Sequence, residues 1–95
     1  MLHTRTTPAE RRKDLRARLA SGRLVRMPGA VNPYAAKLIQ EHGFEAAYLS
    51  GGVLAAELCL PDIGLTTATE IAARAQQVTR VTDLPVLIDA DTGFG

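Results

Sequence analysis

The residue types and spacings that most invite chemistry lie in Asp89-Ala90-Asp91, which closes the short apolar run Pro85-Val86-Leu87-Ile88. Side chains alternate along a strand, so both carboxylates of this run would emerge on one side. Two crowded carboxylates repel unless a cation or a proton stands between them. Mg2+ commonly takes one or two carboxylates, with water and substrate oxygens completing its shell. A metal site and a pair of solvated acids opening a loop both fit this spacing. A second signal is Tyr48-Leu49-Ser50-Gly51-Gly52. Glycines without a Cβ let backbone N–H groups approach an oxyanion, and the Ser50 hydroxyl can add a donor; taken alone, the run is better explained by a plain tight turn. A third is Leu60-Pro61-Asp62, where Asp62 could cap a helix, form a turn or support a metal site. Cys59 lies between Leu58 and Leu60 with no adjacent His or Lys to favour a thiolate, so it reads as a small core side chain. His3 and His42 flank no motif and receive no role.

These residues need elements to hold them. Thr7-Pro8-Ala9-Glu10 carries a capping box with Pro in the first helical turn, predicting a helix over residues 8–21 with Leu15 and Leu19 on one face and Gly22 as its stop. Leu24-Val25-Arg26-Met27-Pro28-Gly29 reads as a short strand ended by Pro-Gly. Asn32-Pro33 opens a second helix, with Ala35, Ala36, Leu38 and Ile39 apolar and Gly43 closing it. Phe44 to Leu49 gives a second strand. The stretch from Val53 to Gly64 is irregular. Thr67 and Glu70 form another capping box, starting a helix whose Ile71, Ala75 and Val78 share a face. Pro85 to Asp91 gives a third strand, apolar on both faces until its end, as in a buried parallel sheet. Strands separated by helices in this way predict an α/β fold of βαβ units with a parallel sheet. In such folds ligands gather at the C-terminal ends of the strands, where Ser50-Gly51-Gly52 and the Asp pair both fall.

Composition narrows the function classes. The 95 residues hold one small domain, with 46% apolar and 22% charged residues, as in ordinary globular proteins. Arg11, Arg12, Lys13, Arg16 and Arg18 make the first helix basic, but a net charge of +1 favours a solvated helix face over a nucleic-acid surface. The single cysteine excludes an internal disulfide. No apolar run reaches the ~18 residues of a membrane span, and residues 1–12 lack the apolar core of a secretory signal. The expectation is a cytoplasmic protein with neither a nucleic-acid nor a membrane partner.

Taken in order, Tyr48-Leu49-Ser50-Gly51-Gly52, Leu60-Pro61-Asp62-Ile63-Gly64 and Asp89-Ala90-Asp91-Thr92-Gly93-Phe94-Gly95 resemble the isocitrate lyase/phosphoenolpyruvate mutase superfamily. Within it they are most similar to the methylisocitrate lyase branch. Met27-Pro28-Gly29-Ala30 followed by Asn32 matches the family's first barrel strand and loop, and the similarity runs over roughly residues 10 to 95. The resemblance implies a (β/α)8 TIM barrel with a leading helix, of which residues 1–95 would supply that helix and about three βα units. It implies a homotetramer that exchanges its last helix between subunits. It assigns Ser50, Gly51 and Gly52 to a substrate carboxylate and places Tyr48 beside the bound α-keto acid. It assigns Asp89 and Asp91 to Mg2+, directly or through water, with Asp62 as a supporting carboxylate.

The implied reaction is Mg2+-dependent cleavage of a carbon–carbon bond in a hydroxy-tricarboxylate, giving succinate and an α-keto acid, in the propionate-degrading methylcitrate cycle. An oxaloacetate decarboxylase or a phosphonomutase of the same superfamily would share Asp-Ala-Asp. The family's Lys-Lys-Cys-Gly-His loop, whose Cys donates a proton, and its later Arg and Glu residues are not among these 95 residues. Cys59 falls too early to replace that Cys, so the catalytic residues are expected elsewhere and the isolated chain is expected to be inactive. The third strand has no covering helix after it, and an edge that apolar invites aggregation. The sequence is therefore expected to be the first part of a longer protein. A non-catalytic fragment, or a module offering its open sheet edge to another protein, is the competing expectation.

Overall fold

A computed structural model describes residues 4–95, and the expectation for His3 lies outside that range. Local chemistry fixes the helices. Helix α1 (Pro8–Ala20) begins where the Thr7 side chain accepts the Glu10 N–H and the Glu10 carboxylate accepts the Thr7 N–H, so two otherwise unpaired donors are satisfied reciprocally. Helix α2 (Pro33–Glu41) begins where Asn32 Oδ1 accepts the Ala35 N–H at 2.8 Å. It ends in a Schellman arrangement: Phe44 N–H donates to Ile39 O and Gly43 N–H to Gln40 O, with Gly43 at φ +81°. Helix α4 (Ala68–Thr79) opens with the Thr67–Glu70 capping box.

Strands β1 (Ala47–Leu49) and β2 (Val86–Ile88) pair in parallel, with Ala47 opposite Val86 and Leu49 opposite Ile88. Gly29 adds an isolated parallel bridge to Tyr48. The expected first strand, 24–29, is thus reduced to one contact. Tyr48 N–H donates to Pro28 O and Ala30 N–H to Tyr48 O. Pro28 has no N–H to extend the ladder, and Leu24 stands 86% exposed. The expected third strand, 85–91, contracts to three residues, and its Leu87 and Ile88 are exposed rather than buried on both faces.

Two further expectations are corrected. The stretch after Leu49 contains a helix, α3 (Gly51–Glu57), capped by Ser50 and burying Leu54 and Ala55. Cys59 is exposed, not in the core. It occupies φ +59° just beyond α3, where Leu60 N–H reaches Ala55 O and Cys59 N–H reaches Ala56 O, the closure that Gly43 gives α2. Helix α1 buries no residue, and Leu19 is 58% exposed.

The core is built from small side chains. Ala30, Ala36, Ile39, Ala47 and Val78 form it, with Phe44, Val81, Leu84 and Val86 packed around them. It joins α2 and α4 to the sheet. Helix α1 is held instead by hydrogen bonds: the Arg11 guanidinium donates to Thr79 O at 2.7 Å and Thr6 O at 3.0 Å. Arg74 ties α4 to α3 and to the loop after Gly29, donating to Glu57 and to Val31 O. Among the described residues no helix is long and apolar enough to cross a membrane.

Candidate metal and substrate site

Because β1 and β2 are parallel, their C-terminal ends open on the same edge of the molecule. Asp89 follows β2 directly, and its N–H donates to Leu49 O at 3.0 Å, carrying the ladder one residue beyond the strand. Its side chain is therefore placed by the sheet, not by a free loop. Asp89 Oδ2 accepts the Gly51 N–H at 3.2 Å and the Tyr48 hydroxyl at 3.4 Å. Asp89 Oδ1 accepts the Asp91 N–H at 2.9 Å. Asp91 leaves the extended conformation for φ +50°, so strand alternation does not set its direction.

The three acids still meet. A small cavity of about 20 Å³ is lined by Asp62, Asp89 and Asp91 together with Gly51, Thr66, Ile71 and Phe94. That is room for about one water-sized guest. Asp62 lies in a turn rather than at a helix cap, and its carboxylate faces Gly52. Among the described residues none of the three carboxylates forms an ion pair. Nor, among the described residues, does any group of three or more Asp, Glu, His or Cys side chains converge closely enough to hold a metal ion by itself. Hard carboxylate oxygens around a water-sized space fit Mg2+, which needs only one or two protein carboxylates and keeps water or substrate on its other positions. Gly51 and Gly52 provide the clearance, since a Cβ at either would come within 3.0 Å of a carboxylate oxygen.

The donors beside the acids differ in availability. Ser50 Oγ accepts the Val53 N–H at 3.3 Å as the cap of α3, which leaves its own hydrogen free to donate. Gly51 N–H is taken by Asp89, whereas Gly52 N–H has no hydrogen-bond partner among the described residues. Tyr48 is half-buried and reaches the same carboxylate as Gly51. Thr66, Ile71 and Phe94 were not singled out from sequence as lining residues; only their place around the acids reveals them. His42 caps the end of α2 and takes no part in the site. A larger hollow of about 490 Å³ lies elsewhere, between α1, the end of α4 and β2, and no carboxylate lines it.

Helices around a parallel strand pair make this an α/β protein, with the three carboxylates and the Ser-Gly-Gly helix start together at the strand C-termini, where such folds bind ligands. The family model for phosphoenolpyruvate phosphomutase matches residues 15–95, and the chain belongs to that family. It is 67% identical over 88 residues to the probable 2-methylisocitrate lyase 2 of Corynebacterium glutamicum, covering 93% of this chain and 29% of that protein. Among solved structures, a phosphonopyruvate hydrolase in complex with oxalate and Mg2+ superposes with a TM-score of 0.83 at 35% identity, covering 90% of this chain and 30% of its own. A 2,3-dimethylmalate lyase, a member of the PEP mutase/isocitrate lyase superfamily, superposes with a TM-score of 0.81 at 30% identity, over 95% of this chain and 32% of its own. The chain thus spans less than a third of the length of the relatives it matches.

Proposed function

We propose that residues 1–95 form the leading helix and first βα units of a (β/α)8 barrel whose complete form is a Mg2+-dependent carbon–carbon lyase, cleaving 2-methylisocitrate to pyruvate and succinate. The observation that carries this reading is the meeting of Asp62, Asp89 and Asp91 around one water-sized cavity at the C-terminal end of parallel strands. Close identity to a protein named as a probable 2-methylisocitrate lyase supports that substrate over others in the family. The likeness to a structure holding Mg2+ and oxalate, a small dicarboxylate, supports the same metal and a keto-acid-like ligand.

In this reading Asp89 and Asp91 hold Mg2+, directly or through water, and Asp62 supports it. Bound there, the metal supplies Lewis acidity, stabilising negative charge on the substrate's α-oxygen. The Tyr48 hydroxyl and Gly51 N–H fix the Asp89 carboxylate, so its orientation does not depend on the ligand. In this reading the Gly52 N–H and the Ser50 hydroxyl bind a substrate carboxylate, supported by the lack of any other acceptor for either among the described residues. The proton-donating Cys loop that the family implies is not among these residues, so proton transfer belongs to the rest of the barrel. A cytoplasmic, tetrameric enzyme of propionate breakdown follows from the same reading.

The test is to incubate the full-length protein with 2-methylisocitrate and follow pyruvate and succinate. Product formation that EDTA abolishes and Mg2+ restores is the expected result. No cleavage of 2-methylisocitrate, with turnover of oxaloacetate or phosphonopyruvate instead, would move the assignment to another branch of the family. Turnover of none of them would leave the non-catalytic reading.

A further inference from the structure

Adjacent glycines in a strand-to-helix turn are usually explained by backbone freedom, and that explanation fails at Gly51 and Gly52. Neither has a positive φ, and both lie inside the first turn of α3. Alanine would suit that backbone and favours helix more than glycine does. Gly64, in the nearby turn, is the contrast: its φ of +81° demands glycine, while a Cβ there would make only ordinary contact with Asp91 at 3.5 Å.

What Gly51 and Gly52 lack is space for a side chain, and each lacks it against a different acid. A Cβ on Gly51 would stand 3.0 Å from Asp89 Oδ2 and 3.3 Å from its Cγ. A Cβ on Gly52 would stand 3.0 Å from Asp62 Oδ2 and 3.6 Å from its Cγ. The geometry points to a positioning role: Gly51 and Gly52 are the spacers that set where the Asp89 and Asp62 carboxylates stand, one glycine to each acid. The contacts are with the rotatable ends of the acids, so a Cβ would turn the carboxylates aside and leave the backbone in place. Asp89 would also lose the Gly51 N–H, its 3.2 Å partner. This role rests on the Mg2+ reading of the site and is separate from any contact that the two glycines make with a substrate.

The experiment titrates Mn2+, without any organic ligand, into the full-length wild type, Gly51→Ala and Gly52→Ala, following the EPR signal of the free ion. Gly51→Ala is expected to weaken binding roughly ten- to hundred-fold, the usual consequence of disturbing a group that orients a metal ligand. Gly52→Ala should weaken it less, with the far-UV circular dichroism of both variants unchanged. Wild-type affinity in both variants overturns the role, as does loss of fold in either, because the carboxylate and not the backbone should yield. If the wild type binds no Mn2+, the metal reading itself falls. The spacing role is then decided in the metal-free protein by carboxyl 13C shifts. Gly51→Ala must move the Asp89 signal and Gly52→Ala the Asp62 signal, and unmoved signals overturn it.

Discussion

At the N-terminal end of β2, every polar side chain ties one segment to another; at its C-terminal end, Asp89 is held by three donors, but Asp62 and Asp91 accept no hydrogen bond among the described residues. Thr82 is 1% exposed, and its hydroxyl donates to Gln40 Oε1 at 2.8 Å while accepting the Leu84 N–H at 3.1 Å. The same Gln40 oxygen accepts the Asp83 N–H at 2.7 Å. Asp83 Oδ1 in turn accepts the N–H groups of Arg5 and Thr6 and the Thr6 hydroxyl. Burial opposes the charge on Asp83, but these donors and the nearby Arg11 outweigh it and hold the carboxyl below its ordinary 3.8. Beyond β2, Asp62 and Asp91 are exposed, and Asp89 takes its donors from Gly51, Tyr48 and Asp91 alone. One end uses its polar groups to hold the chain together, and the other leaves two of its three carboxylates without a partner among the described residues, as the proposed metal site requires. In parallel α/β folds that division separates stability from chemistry.

Substitutions at the two ends should therefore have opposite signatures. The largest effect is expected from Asp89→Asn in the full-length protein. Steady-state assays with Mg2+ should show a loss of about 10³-fold or more, corresponding to several kcal/mol of lost charge stabilisation. The urea midpoint should change little, since the relief of negative charge offsets the acceptor lost on one side of the side chain. A variant that lost stability instead would erase the distinction between the ends.

Thr82→Val should do the reverse. Leaving the Leu84 N–H without its acceptor in a buried site costs about 1–3 kcal/mol, read as a lower urea midpoint, while Mg2+ affinity stays at the wild-type level. The smallest effect sharpens the comparison through pH. A carboxyl held below 3.8 when folded contributes stability that is fully present above that value and is lost as pH falls through the lower folded range. Asp83→Asn should lower stability at neutral pH and flatten its decline on acidification, as followed by urea midpoints across the acid range.

How much of this was legible in the sequence depended on whether the signal was local. Thr7 with Glu10, Asn32 with Pro33, and Thr67 with Glu70 announce their helices because each cap is complete within a few residues. Helix α3 escaped notice because its start is Gly-Gly, the residue pair least suggestive of helix, and its seven residues are too few for a period. The strands were drawn too long because apolar character marks a segment as suited to a sheet but not how much of it finds a partner. Leu87 and Ile88 have the right composition and remain exposed. Cys59 was misread as core because apolar neighbours in sequence say nothing of the turn that closes α3. At the site, the Asp-Ala-Asp run and Asp62 are visible as residue types, but the approach of Asp62 to Gly52 depends on the turn after α3 and that of Asp89 to Gly51 on strand register. No local pattern carries that.

The wide separation of the strand partners sets a timetable for synthesis. Tyr48 and Asp89, whose side chains meet across the sheet, are 41 positions apart. At ordinary translation rates roughly 2–8 s pass between the appearance of the first and the second. During that interval α2 and α3 carry their own caps and can form, while β1 has no β2 beside it. For those seconds the edge of β1 that β2 later covers has no partner, and helices of nine and seven residues gain little stability until the sheet is there to pack on.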